Sequence, residues 1–338
     1  MHKNFIKISF FFILILTING CSGVSSKQEL IDRAGAPLLS GLGNHTHEIT
    51  SSEDGVQEYF DQGLILAFAF NHAESVRSFK AAQTLDPGCA MCFWGEALAL
   101  GPNINVTSNG KAVMSDSQRV SAFAALSKAR ELMMNSSAEE QAYIMALSSR
   151  YDGNVNSDRN ALDMAYAVAM EKVVAAYPDD MDAASLYSEA LMNTMPWNYW
   201  LDDGKPRLDT VKVISKLEEV LEKEPDHPLA IHLYIHAVEA SSSPERAESA
   251  ADRLGSLVPG AGHLVHMPAH IFWRVGRYHD ASEANINAAK VDEEYIAQCN
   301  AQGFYPAAYY PHNIHFLWAA STMEGRSELS IESALKVS

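Results

Sequence analysis

Two short stretches hold the residues whose chemistry stands out. HLYIHAVEAS starts at His232 and HLVHMPAHIF at His263, and each contains histidines four residues apart, His232 with His236 and His266 with His270. On a helix, side chains at i and i+4 share a face, so each pair presents two imidazoles side by side. Adding 34 to His232 gives His266, and adding 34 to His236 gives His270. The pairs therefore occupy equivalent positions of consecutive units. Packed helix axes lie roughly 8–10 Å apart, so the quartet His232, His236, His266 and His270 can converge on one zinc or copper ion, with bonds of about 2.0–2.1 Å. Glu239 follows His236 by three residues, and Glu189 lies in the preceding unit. Either suits a carboxylate ligand, a partner that orients an imidazole, or a base beside a metal-bound water. The pattern HxxxHxxE is not the zincin HExxH, because Leu233 follows His232, and no protease mechanism carries over. Two other roles stay open for the same histidines: neutral hydrogen-bonding residues that hold helices together, or recognition residues for an anionic peptide tail or small acid.

The elements that must position these residues are helices. NHAESVRSFKAAQTLDP from Asn71 and TVKVISKLEEVLEKEPDHP from Thr210 are amphipathic runs stopped by an acidic residue and proline, and strand-like alternation is absent. Pro225 and Pro259 are 34 apart, as are Ala247 and Ala281, and Gly276, Tyr278 and Ala281 stand in a GxYxxA relation. These features resemble the tetratricopeptide repeat, as do Gly63, Phe79, Ala82 and Pro87 in the first unit. The resemblance implies an all-α, right-handed α-solenoid of about seven helix pairs over residues 53–338, an elongated superhelix with a concave groove. It also implies that the first helix of each unit lines the groove at its second, fifth, ninth and twelfth places. His232 and His236 then fall fifth and ninth, with Glu239 twelfth. His263, His266 and His270 fall second, fifth and ninth in the next unit, and His312 and His315 second and fifth in the last. Seven of the 13 histidines thus face one groove.

FNHAESVRSF, WGEALALGPNIN, LYSEALMNTMPWNYW, AGHLVHMPAHIFWRVGRYHDA and HNIHFLWAA are more specific. They resemble a bacterial family of exported tetratricopeptide-like proteins of unassigned activity. The resemblance spans nearly the whole chain after the export segment; it implies fold and export, and it supplies no reaction.

The N-terminus carries Lys3 and Lys7, the apolar run ISFFFILIL and then INGC, ending at Cys21. A small residue before cysteine resembles the bacterial lipobox. Residues 1–20 are therefore expected to be a lipoprotein signal peptide, Cys21 the lipidation site, and residues 21–52 a tether and N-terminal extension. The expected location is the cell envelope, on the periplasmic face of the outer membrane, with membrane contact through the N-terminal lipid only. Asp and Glu outnumber Lys and Arg 42 to 25, for a net charge of −17, which argues against nucleic acid as a partner. The expected occupant of the groove is a protein segment or a small ligand. IESALKVS ends the chain without a polar capping helix, so a truncated or uncapped C-terminus is expected.

Secondary candidates surround this core reading. CAMC at 89–92 has redox-like CxxC spacing but opens a helical repeat, so buried thiols at a helix start are expected. His72 is expected to cap a helix end at a tight turn. Two insertions, GPNINVTSNGKAVMSDS and MPWNYWLDDGKPR, interrupt their units. Asn103 and Asn105 in the first are ligand contacts or turn formers. Trp197, Tyr199 and Trp200 in the second are a lid over the groove or a hydrophobic plug. Phosphate-cradling glycine loops and a serine nucleophile elbow are absent.

Overall fold

The computed structural model describes residues 27–338. The expected signal peptide and lipidation site Cys21 lie outside the described residues. Within them the chain is all-α, with one ribbon pairing Thr107–Ser108 to Lys111–Ala112 in the first insertion. No described helix is long and apolar enough to cross a membrane.

Local signals set where the helices begin and end. A short α1 (Lys27–Ala34) precedes α2 (Val56–Phe68) and α3 (His72–Leu85), which pack on each other and then on α4 (Ala90–Ala99). The sequence supplies the close approach: a Cβ at Gly95 would lie 2.2 Å from the Phe79 ring, and one at Gly63 would lie 2.9 Å from it. Ser115 and Ser137 start α5 (Asp116–Leu132) and α6 (Ala138–Leu147) with capping boxes completed by Gln118 and Glu140. Asp158 caps α7 (Arg159–Ala176), and Asp180 caps α8 (Met181–Thr194). Then come α9 (Leu208–Lys223) and α10 (Pro228–Val238), the latter begun by His227, whose ring accepts from the Ala230 amide, with Pro228 in the first turn. The next pair is α11 (Glu248–Leu257) with α12 (Gly262–His266) and α13 (Pro268–Arg274). Pro268 lacks the N–H that would bond the Leu264 carbonyl, which divides one rod into two helices. Met267 keeps right-handed helical angles, φ −51° and ψ −37°, so His266 and His270 stay on one face. The long α14 (Tyr278–Cys299), α15 (Tyr310–Glu324) and α16 (Ser327–Val337) complete the chain, and most helices pack chiefly on their sequence neighbours.

A strap crosses this succession. Residues 35–52 run without regular structure over distant helices. Gly41 O accepts from Gly260 N at 2.7 Å, and Leu39 N donates to Gln62 Oε1 at 2.7 Å. Thr50 N donates to Glu140 Oε1 at 2.7 Å. The crossing with residues 257–260 requires glycine, since a Cβ at Gly260 would lie 2.3 Å from Ser40 O and one at Gly43 2.5 Å from Leu257 O. Between these anchors, His45 Nε2 and His47 Nδ1 donate to the Asp182 carboxylate at 3.0 and 2.8 Å, and His227 Nε2 donates to it at 3.1 Å. The first hairpin also reaches the later helices: Tyr295 OH donates to Asn71 Oδ1 at 3.2 Å, and His232 Nδ1 donates to Phe68 O at 2.6 Å.

Cys89 and Cys92 form a disulfide, a correction to the buried thiols expected. Cys89 stands just before α4 with its sulfur over the first turn, where it accepts from Cys92 N, so the side chain three residues on meets it.

The strap carries a pH dependence whose sign follows from its partners. Burial disfavours charged rings at His45 and His47, but hydrogen bonding and charge from Asp182 outweigh it and raise both above 6.5. Burial likewise opposes the Asp182 anion, yet hydrogen bonds from His227, His45 and His47 hold its carboxyl well below 3.8. The histidine contribution is complete below pH 6.5 and fades as pH rises through the raised values; the aspartate contribution is complete above pH 3.8 and fades only below it. We expect the clasp to add a downward slope to the melting temperature as pH rises above 6.5, opposing the upward slope from the histidines that burial lowers. In Asp182→Asn this slope should flatten, with stability near pH 6 lowered by about 3 kcal/mol. Parallel slopes in the two proteins, followed by circular dichroism melting, would refute the clasp.

Candidate metal centre

Four helices deliver six histidines to one chamber, five of them buried and His312 at its exposed mouth. His232 and His236 lie on α10, every residue of which is buried. His263 and His266 come from α12, His270 from α13 and His312 from α15. The rings adjoin: His232–His236 centroids are 4.9 Å apart, His232–His263 5.0 Å, His263–His266 5.9 Å, His266–His312 4.8 Å and His236–His270 5.7 Å. Phe70 from the first hairpin is wedged among them, 4.5 Å from His232 and 5.6 Å from His263.

The histidines fall into two trios, His232/His236/His263 and His266/His270/His312, each with one ring nitrogen per residue within 4.8 Å of the others. Equivalent repeat positions had suggested one quartet; the structure instead groups the first pair with His263 and the second with His312. In the first trio, His232 gives its Nδ1 hydrogen to Phe68 O, and His236 Nδ1 donates to Glu239 Oε1 at 3.1 Å. Neutral rings with Nδ1 protonated carry a lone pair on Nε2. His232 Nε2, His236 Nε2 and both nitrogens of His263 are buried without a hydrogen-bond partner. Such groups are costly unless something binds them.

Glu239 serves both trios. Its second oxygen, Oε2, accepts from His270 Nδ1 at 2.7 Å. Burial alone would raise this carboxyl, but His270 and His236 override it and hold it far below the usual range. Each Glu239 oxygen accepts from one Nδ1–H donor, so the carboxylate orients two imidazoles, one in each trio. His232, His263 and His266 are pushed well below 6.5, by burial first and by their mutual proximity second. Burial also lowers His236. Neutral imidazole is the form that binds metal.

A cavity of about 270 Å³ opens onto the chamber beside His236, His263, His270 and His312. Both insertions reach it, the first with Asn105 and the second with Trp197, and Phe304 and Tyr309 complete the wall. Asn103 stays behind, buried, where its side-chain oxygen accepts from Asn105 N at 2.9 Å and its amide meets His72 Nε2 at 3.3 Å. His72 therefore joins the start of α3 to this loop, and burial lowers it to about 4.

Two sequence candidates stand apart. His315 is exposed and packs on Trp318, ring centroids 5.4 Å apart. Glu189 faces Asn193 Nδ2 at 3.4 Å, raised by burial against the pull of Arg150. The Asp182 cluster was missed in the sequence; His45 and His47 two apart in an extended stretch were its only signal. It differs from the chamber in that its three histidines each meet the Asp182 carboxylate.

No protein-family model matches the chain, and comparison with curated proteins finds no match.

The aromatics of the second insertion divide between lid and plug. Trp197 is 48% exposed, its ring 5.1 Å from His236, with left-handed φ 61°. Tyr199 is buried, and Trp200 Nε1 donates to Ala237 O at 2.8 Å. Trp197→Gly should leave stability nearly unchanged, because relief of about 1–2 kcal/mol of left-handed strain offsets lost contact. Tyr199→Ala should cost about 3–5 kcal/mol. Equal losses in urea denaturation would make Trp197 a plug as well.

Proposed function

We propose that this protein is an envelope-anchored metalloprotein that binds a transition-metal ion through His232, His236 and His263 and presents it to a small molecule in the adjoining cavity. The observation that carries the proposal is the set of four buried, unpartnered imidazole nitrogens in these three residues. Zinc and copper both suit an all-imidazole set. Three protein ligands leave coordination positions free, the arrangement of sites that polarise a bound water or substrate. Phe68 O and Glu239 fix two of the rings through Nδ1, the kind of outer contact that sets a ligand's tautomer.

A cavity of about 270 Å³ favours a small molecule over a protein segment, and burial of the histidines favours an enclosed site over an open recognition groove. The scaffold in this proposal is a tetratricopeptide-like right-handed solenoid, supported by helices that pack on their sequence neighbours and by the 34-residue spacing of the histidine pairs. Anchoring through a lipid on Cys21 would place it at the periplasmic face of a bacterial outer membrane. The Cys89–Cys92 disulfide agrees with an exported chain.

Elemental analysis of the tag-free chain from Ser22 tests the metal. We expect at least one equivalent of zinc or copper per chain, loss of it in His236→Ala, and about 10–100-fold weaker binding in Glu239→Gln. Protein that stays metal-free after incubation with either ion would overturn the proposal.

A further inference from the structure

The second trio shows a different anomaly from the first. His266 Nδ1 lies 2.6 Å from Asn285 Oδ1, and the Asn285 amide is fixed in orientation because its Nδ2 donates to Ala281 O at 2.7 Å. His266 Nδ1 must therefore carry the hydrogen. His270 Nδ1 carries one too, since it faces the Glu239 carboxylate at 2.7 Å. In neutral rings both Nε2 atoms are then bare lone pairs, and the fold points them at each other 2.9 Å apart. Two acceptors at that distance repel unless a cation, a proton or a metal ion, sits between them.

A metal ion fits that geometry. Nitrogens bound to one ion at about 2.0–2.1 Å lie about 2.9–3.4 Å apart when they are neighbouring ligands. His312 supplies the third nitrogen within 4.8 Å, and it is the trio's exposed member, at the cavity mouth. The trios abut at His263–His266 and His236–His270, with Glu239 spanning the latter pair.

We propose that His266, His270 and His312 hold a second ion beside the first, and that the centre is a pair of copper(I) ions. This rests on the metal-binding function proposed above and extends it to a two-ion site. The donor set points to copper. All six ligands are imidazoles, which bring no negative charge, and the nearby Glu239 is turned toward the Nδ1 edges of His236 and His270, away from the Nε2 atoms that face the ions. Two dications in a buried site without a bridging anion repel strongly, and halving each charge cuts that repulsion to about a quarter. Imidazole suits copper, which also heads the affinity order of the first-row divalent ions if the centre is oxidised.

The test is copper stoichiometry after loading the tag-free chain from Ser22 with copper(I) without oxygen and removing excess metal. Two copper ions per chain are expected in the wild type, and one each in His312→Ala and His263→Ala. His312 is exposed, so its variant should melt like the wild type and report on the ion alone. One copper in the wild type, unchanged in His312→Ala, would overturn the second ion while leaving the first, and would assign the His266–His270 contact to a shared proton. No copper and no zinc would overturn both. Two tightly held zinc ions per chain in a parallel loading would overturn the choice of copper.

Discussion

The chamber depends on the placement of one carboxylate. Glu239 sits at the C-terminal end of α10, where the helix dipole disfavours an anion, and it is largely buried, which disfavours it again. Two imidazole N–H groups offset both costs, one from α10 and one from α13. In return the carboxylate settles the tautomers of His236 and His270, forcing their hydrogens onto Nδ1 and their lone pairs inward. A neutral residue there would leave each ring free to choose its tautomer, and the inward lone pairs would no longer be specified.

That arrangement needs enclosure, which comes from the opposite end of the chain. Successive helix pairs contacting only their neighbours would leave the histidine face open to water. Here the first hairpin turns back on it: the Phe68 carbonyl takes the His232 hydrogen and Phe70 enters between His232 and His263. Phe70 holds φ 56°, a costly backbone for a bulky residue, and the contacts of its ring account for its persistence. The strap adds long-range ties through Gly41, Asp182 and Glu140. Stability is therefore shared between distant units, and opening the first hairpin would wet the chamber even with every other helix intact.

Sequence spacing exposed part of this and concealed the rest for identifiable reasons. Helical periodicity and the acid-proline stops placed α3, α9 and α10, and the 34-residue offset identified His232 with His266 and His236 with His270 as equivalent positions. Equivalence does not fix the rotation between units, so spacing could not show that His263 and His312 would complete the trios. It also placed His315 with them, although one helical position turned that ring to solvent beside Trp318. The roles of Phe70, Asn285 and the strap were invisible, since each depends on a contact far away in sequence. The insertions were recognisable as irregular, and their arrival at one cavity through Asn105 and Trp197 follows from the path of the helices between them.

The same residue type serves two opposite electrostatic ends in this molecule. Around Asp182, His45 and His47 meet a carboxylate, so their charged forms are favoured and the cluster holds two segments together by ion pairing. In the chamber, histidines mostly meet other histidines, and a proton on one ring raises the cost of a proton on the next. Burial reinforces this at His232, His236, His263 and His266, which favours their neutral forms and keeps their lone pairs available. Hydrogen-bond partners at Nδ1 decide where those lone pairs point, and only at the chamber do they point at one another. The clasp ties its histidines to one shared carboxylate, whereas the chamber leaves buried imidazole nitrogens without a partner, and it is on that difference that the two clusters part.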